Sequence, residues 1–183
     1  MRIKQTPLVD CFIVHEKVHG DARGYFIETF NQRDFNAVSG LDILFVQDNQ
    51  SRSSKGVLRG LHMQRGASAQ AKLVRVLEGS VLDIAVDLRK GSPSFGQHFS
   101  IELTADNHKQ FFVPAGFAHG FVVLSDVATF FYKVDKFYEP GNEVGIMYND
   151  PVLNINWKLA DSELILSERD KRQGNFKDYV ASL

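Results

Sequence analysis

The sequence predicts an all-β sandwich or barrel with short helices added near its ends. Three observations carry this reading. Short apolar, β-branched runs recur about every ten residues. The stretches between them are rich in Gly, Pro, Asn and Asp, the residues of tight turns. Helical periodicity is weak along almost the whole chain.

Taken in order, Val9 to Val14, Gly24 to Phe30 and Leu44 to Asn49 read as the first strands. Ala71 to Leu77 and Ser80 to Asp87 follow, joined by the tight hairpin Glu78-Gly79-Ser80. The looser turn Lys90-Gly91-Ser92-Pro93-Ser94 leads to a strand at His98 to Leu103. Gln110 to Pro114, Gly120 to Leu124 and Ala128 to Lys136 complete the set. Two segments read as helix. Gln32 to Val38 makes about two turns before Gly40. Asp161 to Lys171 takes Asp161 or Ser162 as N-cap and turns Leu164, Ile165 and Leu166 inward.

Composition narrows the function classes. With 183 residues, no repeat and no low-complexity linker, one domain over residues 1–183 is expected. The 21 basic and 22 acidic residues leave a formal charge of -1, so no global field favours nucleic acid or an anionic membrane. One cysteine, Cys11, rules out an internal disulfide and fits a reducing, cytoplasmic home. The first residues carry no apolar signal core, and no run approaches a membrane span. Phe outnumbers Tyr 15 to 5, which fits a small barrel packed with bulky side chains.

The chemistry-bearing residues sit in a few segments. Leu58-Arg59-Gly60-Leu61-His62-Met63-Gln64 places a histidine, usable as a base near neutral pH, between predicted strands. A lone histidine is more often structural, and a carboxylate partner is what makes it a base. Asp170 in Leu166-Ser167-Glu168-Arg169-Asp170 can be that partner if the barrel brings the two segments to one mouth. On its own this run reads as a charged helix end.

Asp21 to Glu28 offers Arg23 as a phosphate fork and Phe26 as an aromatic face. Gln47 and Asn49, two apart, point to one side of a strand. In Thr129 to Tyr138, Phe130, Tyr132, Val134 and Lys136 alternate onto one face, and an inward tyrosine needs a partner for its hydroxyl. Taken singly, each of these is an ordinary surface or core residue.

Pro114-Ala115-Gly116-Phe117-Ala118-His119 resembles the second motif of the cupin superfamily, which implies a cupin-like jelly-roll β-barrel. The partner motif usually supplies His-x-His, but this chain reads His62-Met63-Gln64. Two converging histidines fall short of a tight metal site, so no metal is expected.

Together the motifs resemble the dTDP-4-dehydrorhamnose 3,5-epimerases over nearly the whole chain, in the family's order. They are Asp-x-Arg-Gly-x-Phe-x-Glu at Asp21–Glu28, Gln47-Asp48-Asn49, and Leu-Arg-Gly-Leu-His-x-Gln at Leu58–Gln64. Pro-x-Gly-x-x-His-Gly at Pro114–Gly120, the strand through Tyr132 and Tyr138, and Leu-Ser-x-Arg-Asp at Leu166–Asp170 follow. Arg169 stands where many relatives have lysine.

The resemblance implies His62 as the base beside the C4 ketone, Asp170 as its orienting partner, Tyr132 as the acid on the opposite face and Lys72 beside the enolate oxygen. It implies Arg23, Phe26, Glu28, Gln47, Asn49, Arg59 and His119 around a dTDP-linked 4-keto-6-deoxyhexose. Tyr138 would stack on thymine, with Glu143 and Arg169 completing the pocket. The Arg23–Glu28 segment would cross to a neighbour, giving a homodimer with a shared site. No cofactor is expected, because the ketone is already in the substrate. Three other readings stay open: a single-centre 3- or 5-epimerase of another deoxysugar, a non-catalytic sugar-nucleotide binder, and a metal-dependent cupin oxygenase.

Overall fold

Turn chemistry cuts the chain into short extended pieces. In the computed structural model, which describes residues 1–183, the named strands pair antiparallel. Strands β1 (Arg2–Gln5), β2 (Phe12–His15), β3 (Val18–Asp21) and β4 (Gly24–Ile27) precede helix α1 (Gln32–Ser39). Then come β5 (Gln47–Ser54), β6 (Leu58–Gln64), β7 (Lys72–Glu78), β8 (Ser80–Asp87) and β9 (His98–Thr104). Strands β10 (Lys109–Val113), β11 (Phe117–Val123), β12 (Val127–Val134) and β13 (Glu143–Gly145) lead to helix α2 (Phe176–Ala181).

A six-stranded sheet runs β1-β2-β10-β7-β12-β5, and a five-stranded sheet runs β13-β6-β11-β8-β9. Strands β3 and β4 form a separate hairpin. The two sheets are the walls of a cupin-like jelly-roll barrel.

Alternation along each strand sends side chains into three apolar layers. Between the sheets, Val74, Val76 and Phe130 of one wall meet Val81, Leu103 and Phe121 of the other. The Phe121 and Phe130 rings stack at 4.1 Å and join the walls. Outside the five-stranded sheet, Leu61, Leu82 and Val122 pack under Leu153, Trp157 and Phe176 of the C-terminal segment. Outside the six-stranded sheet, Phe12, Leu73 and Phe112 lie beneath Phe35 of α1. Asn31 caps α1 by accepting the Asp34 N–H at 3.2 Å, and Gly40 ends it at φ 70°.

Several expected elements are corrected. Asp161 to Lys171 is not a helix: single short turns at Asp161–Glu163 and Asp170–Arg172 flank an extended piece. The Ile165 N–H donates to Gly56 O at 2.8 Å, and Ile165 O accepts the Leu58 N–H at 3.0 Å. Bridging to β6 uses the backbone groups a helix would have needed. Ile165 is exposed, not inward. The terminal helix is instead α2, capped by Asn175.

Strand β5 extends through the polar run Gln47–Ser54 and omits Leu44 to Val46, because its inner face lines a polar cavity and not the apolar core. Leu58–Gln64, read as a connection, is strand β6.

Phe112 is 1% exposed and stacks on Phe12 at 4.6 Å, with Phe35 at 5.7 Å. Phe112→Ala should therefore cost about 3–5 kcal/mol, read as a lower urea midpoint with an unchanged slope. A loss below about 1 kcal/mol would mean that the layer under α1 collapses around the missing ring.

Candidate active site

A cavity of about 730 Å³ opens between the two sheets. Its shape begins with an irregularity in β6. Strand β11 pairs His119 with His62 and Phe121 with Arg59, so β6 carries one residue more than its partner over this stretch. The extra residue is a β-bulge. Residues three apart on a regular strand face opposite ways, yet Arg59 and His62 both line the cavity. Gly60 permits this. Its φ is +129°, and a Cβ there would lie 2.5 Å from Gly120 Cα and 2.8 Å from His119 O.

His62 and Asp170 share a hydrogen bond of 2.5 Å between Nε2 and Oδ1. Asp170 is 4% exposed and sits on the segment drawn against β6 by the Ile165 bridge. Ser167 Oγ donates to Asp170 Oδ2 at 2.7 Å, and the Asp170 N–H donates back to Ser167 Oγ at 3.1 Å. Burial pushes the Asp170 carboxyl up, but the bonds from His62 and Ser167 outweigh it and hold the group below its ordinary value. With Nε2–H donated to Asp170, the lone pair is on Nδ1. Nδ1 lies 3.6 Å from Glu143 Oε1, too far for a good hydrogen bond.

The opposite wall supplies Lys72 and Tyr132. Lys72 on β7 shares the inner face with Val74 and Val76, and Tyr132 on β12 shares it with Phe130 and Val134. Burial lowers the Lys72 ammonium from its ordinary value, against the pull of Glu143 and Asp83. Burial raises the Tyr132 phenol, Glu143 raises it further, and Arg59 opposes them. A phenol so placed keeps its proton and can donate it.

Of the remaining expected residues, Gln47, Asn49, Arg59, His119, Tyr138, Glu143 and Arg169 all reach this cavity. Gln47 Nε2 donates to Asn49 Oδ1 at 2.9 Å, as their spacing requires. Arg59 Nη2 donates to Ser53 Oγ at 3.2 Å, and Arg169 pairs with Glu143 at 2.7 Å. Arg23, Phe26 and Glu28 do not reach it. Arg23 pairs with Asp21 on the exposed β3–β4 hairpin, Phe26 is 69% exposed, and Glu28 accepts from Asn31 at 3.3 Å.

Sequence reasoning missed Asp83. Its carboxylate is 0% exposed and bonds His119 Nε2 at 2.9 and 3.0 Å. The signal was an acid inside the apolar strand Ser80–Asp87, which cannot be buried without a partner. Ser167, within the Leu166–Asp170 motif, holds the Asp170 carboxylate, a task that the motif alone does not assign. Gln64, at the second position of the cupin His-x-His pair, is buried and accepts the Glu139 N–H at 3.3 Å. Both histidines are thus bonded to carboxylates, an arrangement that suits proton transfer.

The family model described as dTDP-4-dehydrorhamnose 3,5-epimerase matches residues 5–178. The dTDP-4-dehydrorhamnose 3,5-epimerase of Escherichia coli is 51% identical over 172 residues, 94% of this chain and 92% of that one. The crystal structure of the enzyme so named from Elizabethkingia anophelis is 53% identical, covers 97% of each chain and has a TM-score of 0.94. A dTDP-6-deoxy-D-glucose-3,5-epimerase from Legionella pneumophila was solved in complex with dTDP-4-keto-L-rhamnose. It is 45% identical, with a TM-score of 0.92 over 96% of this chain and 93% of that one.

The Asp170 pair has a pH signature. The native carboxyl is held below its ordinary value, so near pH 4 the unfolded chain binds more protons than the native one. The stabilisation is complete above the unfolded value of about 3.9 and is lost as pH falls through the native one. Asp170→Asn should cost about 1.5–3 kcal/mol at pH 7. The gap in urea midpoint should narrow as pH drops from about 5 to 3. A gap constant across that range would contradict the pairing.

Proposed function

The chain belongs to the dTDP-4-dehydrorhamnose 3,5-epimerase family, and from that premise we propose how its cavity inverts C3 and C5 of dTDP-4-dehydro-6-deoxy-D-glucose to give dTDP-4-dehydro-L-rhamnose. The observation that carries the reading is the His62–Asp170 pair on one wall facing Tyr132 on the other. Inversion requires a base on one face of the sugar and an acid on the opposite face. Two facing sheets supply that geometry.

His62 Nδ1 takes the proton from the carbon beside the C4 ketone, and the C–H electrons move into an enolate whose negative charge sits on the C4 oxygen. Asp170 fixes the tautomer and stabilises the imidazolium that forms. Lys72 stabilises the oxyanion, without which imidazole is too weak for an α-proton. Tyr132 gives its phenolic proton to the same carbon from the other face. The imidazolium and phenolate then recover their resting states by exchange with water at the open mouth. C3 and C5 both flank C4, so either deprotonation places charge on the same oxygen, and one Lys72 serves both.

Arg59, His119, Gln47 and Asn49 hold the diphosphate and sugar, Tyr138 stacks on thymine, and Glu143 and Arg169 close the pocket. Arg23, Phe26 and Glu28 serve the site of a second copy, which makes the enzyme a homodimer with shared sites. This is supported by their absence from the lining of their own cavity and by the exposed aromatic hairpin. A cytoplasmic location fits Cys11, which is buried with its thiol pushed up by burial. No helix is long and apolar enough to cross a membrane.

The test is NMR of the keto-sugar nucleotide in deuterated water, reading exchange at C3 and C5 separately. Both centres should exchange with the wild type. His62→Ala should lose about 100- to 10,000-fold of both while still binding dTDP, and activity within a few-fold of wild type would sink the assignment. For the shared site, Arg23→Ala and His62→Ala should each be weak alone and partly active once mixed. No recovery after verified subunit exchange would count against the dimer.

A further inference from the structure

Glu143 touches more of the proposed chemistry than a ligand contact needs. Strand β13 pairs with β6 so that Glu143 stands opposite Gln64 and Gly145 opposite His62. This lays the Glu143 carboxylate along the cavity wall with its side chain only 12% exposed. Oε1 is 2.7 Å from Arg169 and 3.6 Å from His62 Nδ1. Asp170 is the only other acidic residue lining the cavity, and its two oxygens are taken by His62 and Ser167. Glu143 is therefore the carboxylate that lines the cavity together with Lys72 and Tyr132 and is not engaged by His62 and Ser167 as Asp170 is.

We propose that Glu143 is a positioning residue that keeps the protons of Lys72 and Tyr132 in place before the sugar is deprotonated. The proposal rests on the acid–base roles given above. Lys72 must be an ammonium to meet the enolate, and Tyr132 must be a neutral phenol to deliver its proton. A nearby negative charge favours both states, because it attracts a cation and disfavours a phenolate. Both groups respond to Glu143 in this direction.

The other charges around them have assigned places. Asp83 on β8 acts on Lys72 in the same direction as Glu143. Arg59 on β6 lines the same cavity as Tyr132 and acts on it against Glu143. His62 and His119 line the same cavity from β6 and β11. An unpaired carboxylate beside the site would also repel the developing enolate. Arg169 limits this by sharing the charge at 2.7 Å from a position half open to solvent. The pair thus holds protons in the resting site without a full negative charge against the intermediate.

The experiment is the alkaline limb of kcat/KM against pH for wild type, Glu143→Gln, Glu143→Asp and Arg169→Gln. In Glu143→Gln the limb should move down by about one pH unit, because Lys72 and Tyr132 both lose protons more readily. Glu143→Asp, which keeps the charge, should restore most of the position, and Arg169→Gln should move the limb slightly up. In the ligand-free protein, tyrosinate absorbance assigned by comparison with Tyr132→Phe should appear at lower pH in Glu143→Gln. A limb and a Tyr132 titration that stay put in Glu143→Gln while KM rises would overturn the proposal and leave Glu143 a ligand contact. If His62→Ala is inactive in that case, only the Glu143 role fails. If His62→Ala is active, the acid–base reading itself fails.

Discussion

The hydrogen bond between His62 and Asp170 joins the barrel wall to a segment more than a hundred residues later in the chain. Neither residue could do its part without the other. Asp170 is buried, and a buried carboxylate without a partner would carry a large desolvation cost. His62 without the carboxylate would have no fixed tautomer. The bond depends on two local devices. The bulge at Gly60 turns His62 inward alongside Arg59, and the Ile165 bridge to Gly56 and Leu58 brings the Ser167–Asp170 turn to it. Ser167 then locks the carboxylate with a bond in each direction.

The second feature is the division of labour between the walls. The five-stranded sheet holds His62, Arg59, His119 and Glu143, and the six-stranded sheet holds Lys72, Tyr132, Gln47 and Asn49. Each wall is stiffened by an apolar layer on its outer face, so the polar inner residues sit on rigid strands. The apolar cluster between the sheets, with Phe121 stacked on Phe130, sets their separation below the cavity. A sugar ring placed between such walls would meet the His62–Asp170 pair on one side and Lys72 and Tyr132 on the other. The exposed β3–β4 hairpin does not line its own cavity, and the Tyr25 and Phe26 rings it carries are open to solvent.

Much of this was legible in the sequence, and the exceptions share a cause. Apolar alternation located β7 to β12 within a few residues, because each of those strands sends apolar side chains into a buried layer. It cut β5 short, since Gln47, Asn49 and Ser51 line a polar cavity and break the apolar pattern that marks a strand. It passed over β6, where a bulge and a glycine disrupt the alternation. The helix expected over Asp161–Lys171 failed because local periodicity cannot register a bridge to a segment a hundred residues away. For the site, motif order named the residues that reach the cavity, while Asp83 was hidden by its apolar neighbours until its partner His119 was seen. Arg23, Phe26 and Glu28 were legible as ligand-type residues, but single-chain geometry keeps them outside their own cavity.

The central claim is that proton removal and proton return occur from opposite walls, and Tyr132→Phe in deuterated water tests it most directly. The substitution keeps the ring and deletes only the hydroxyl. Deuterium should continue to enter C3 or C5 through His62 and Lys72, while inverted product falls by about 100-fold or more, so that exchange outruns epimerisation. Inversion at the wild-type rate, or loss of exchange in step with inversion, would contradict the two-wall account.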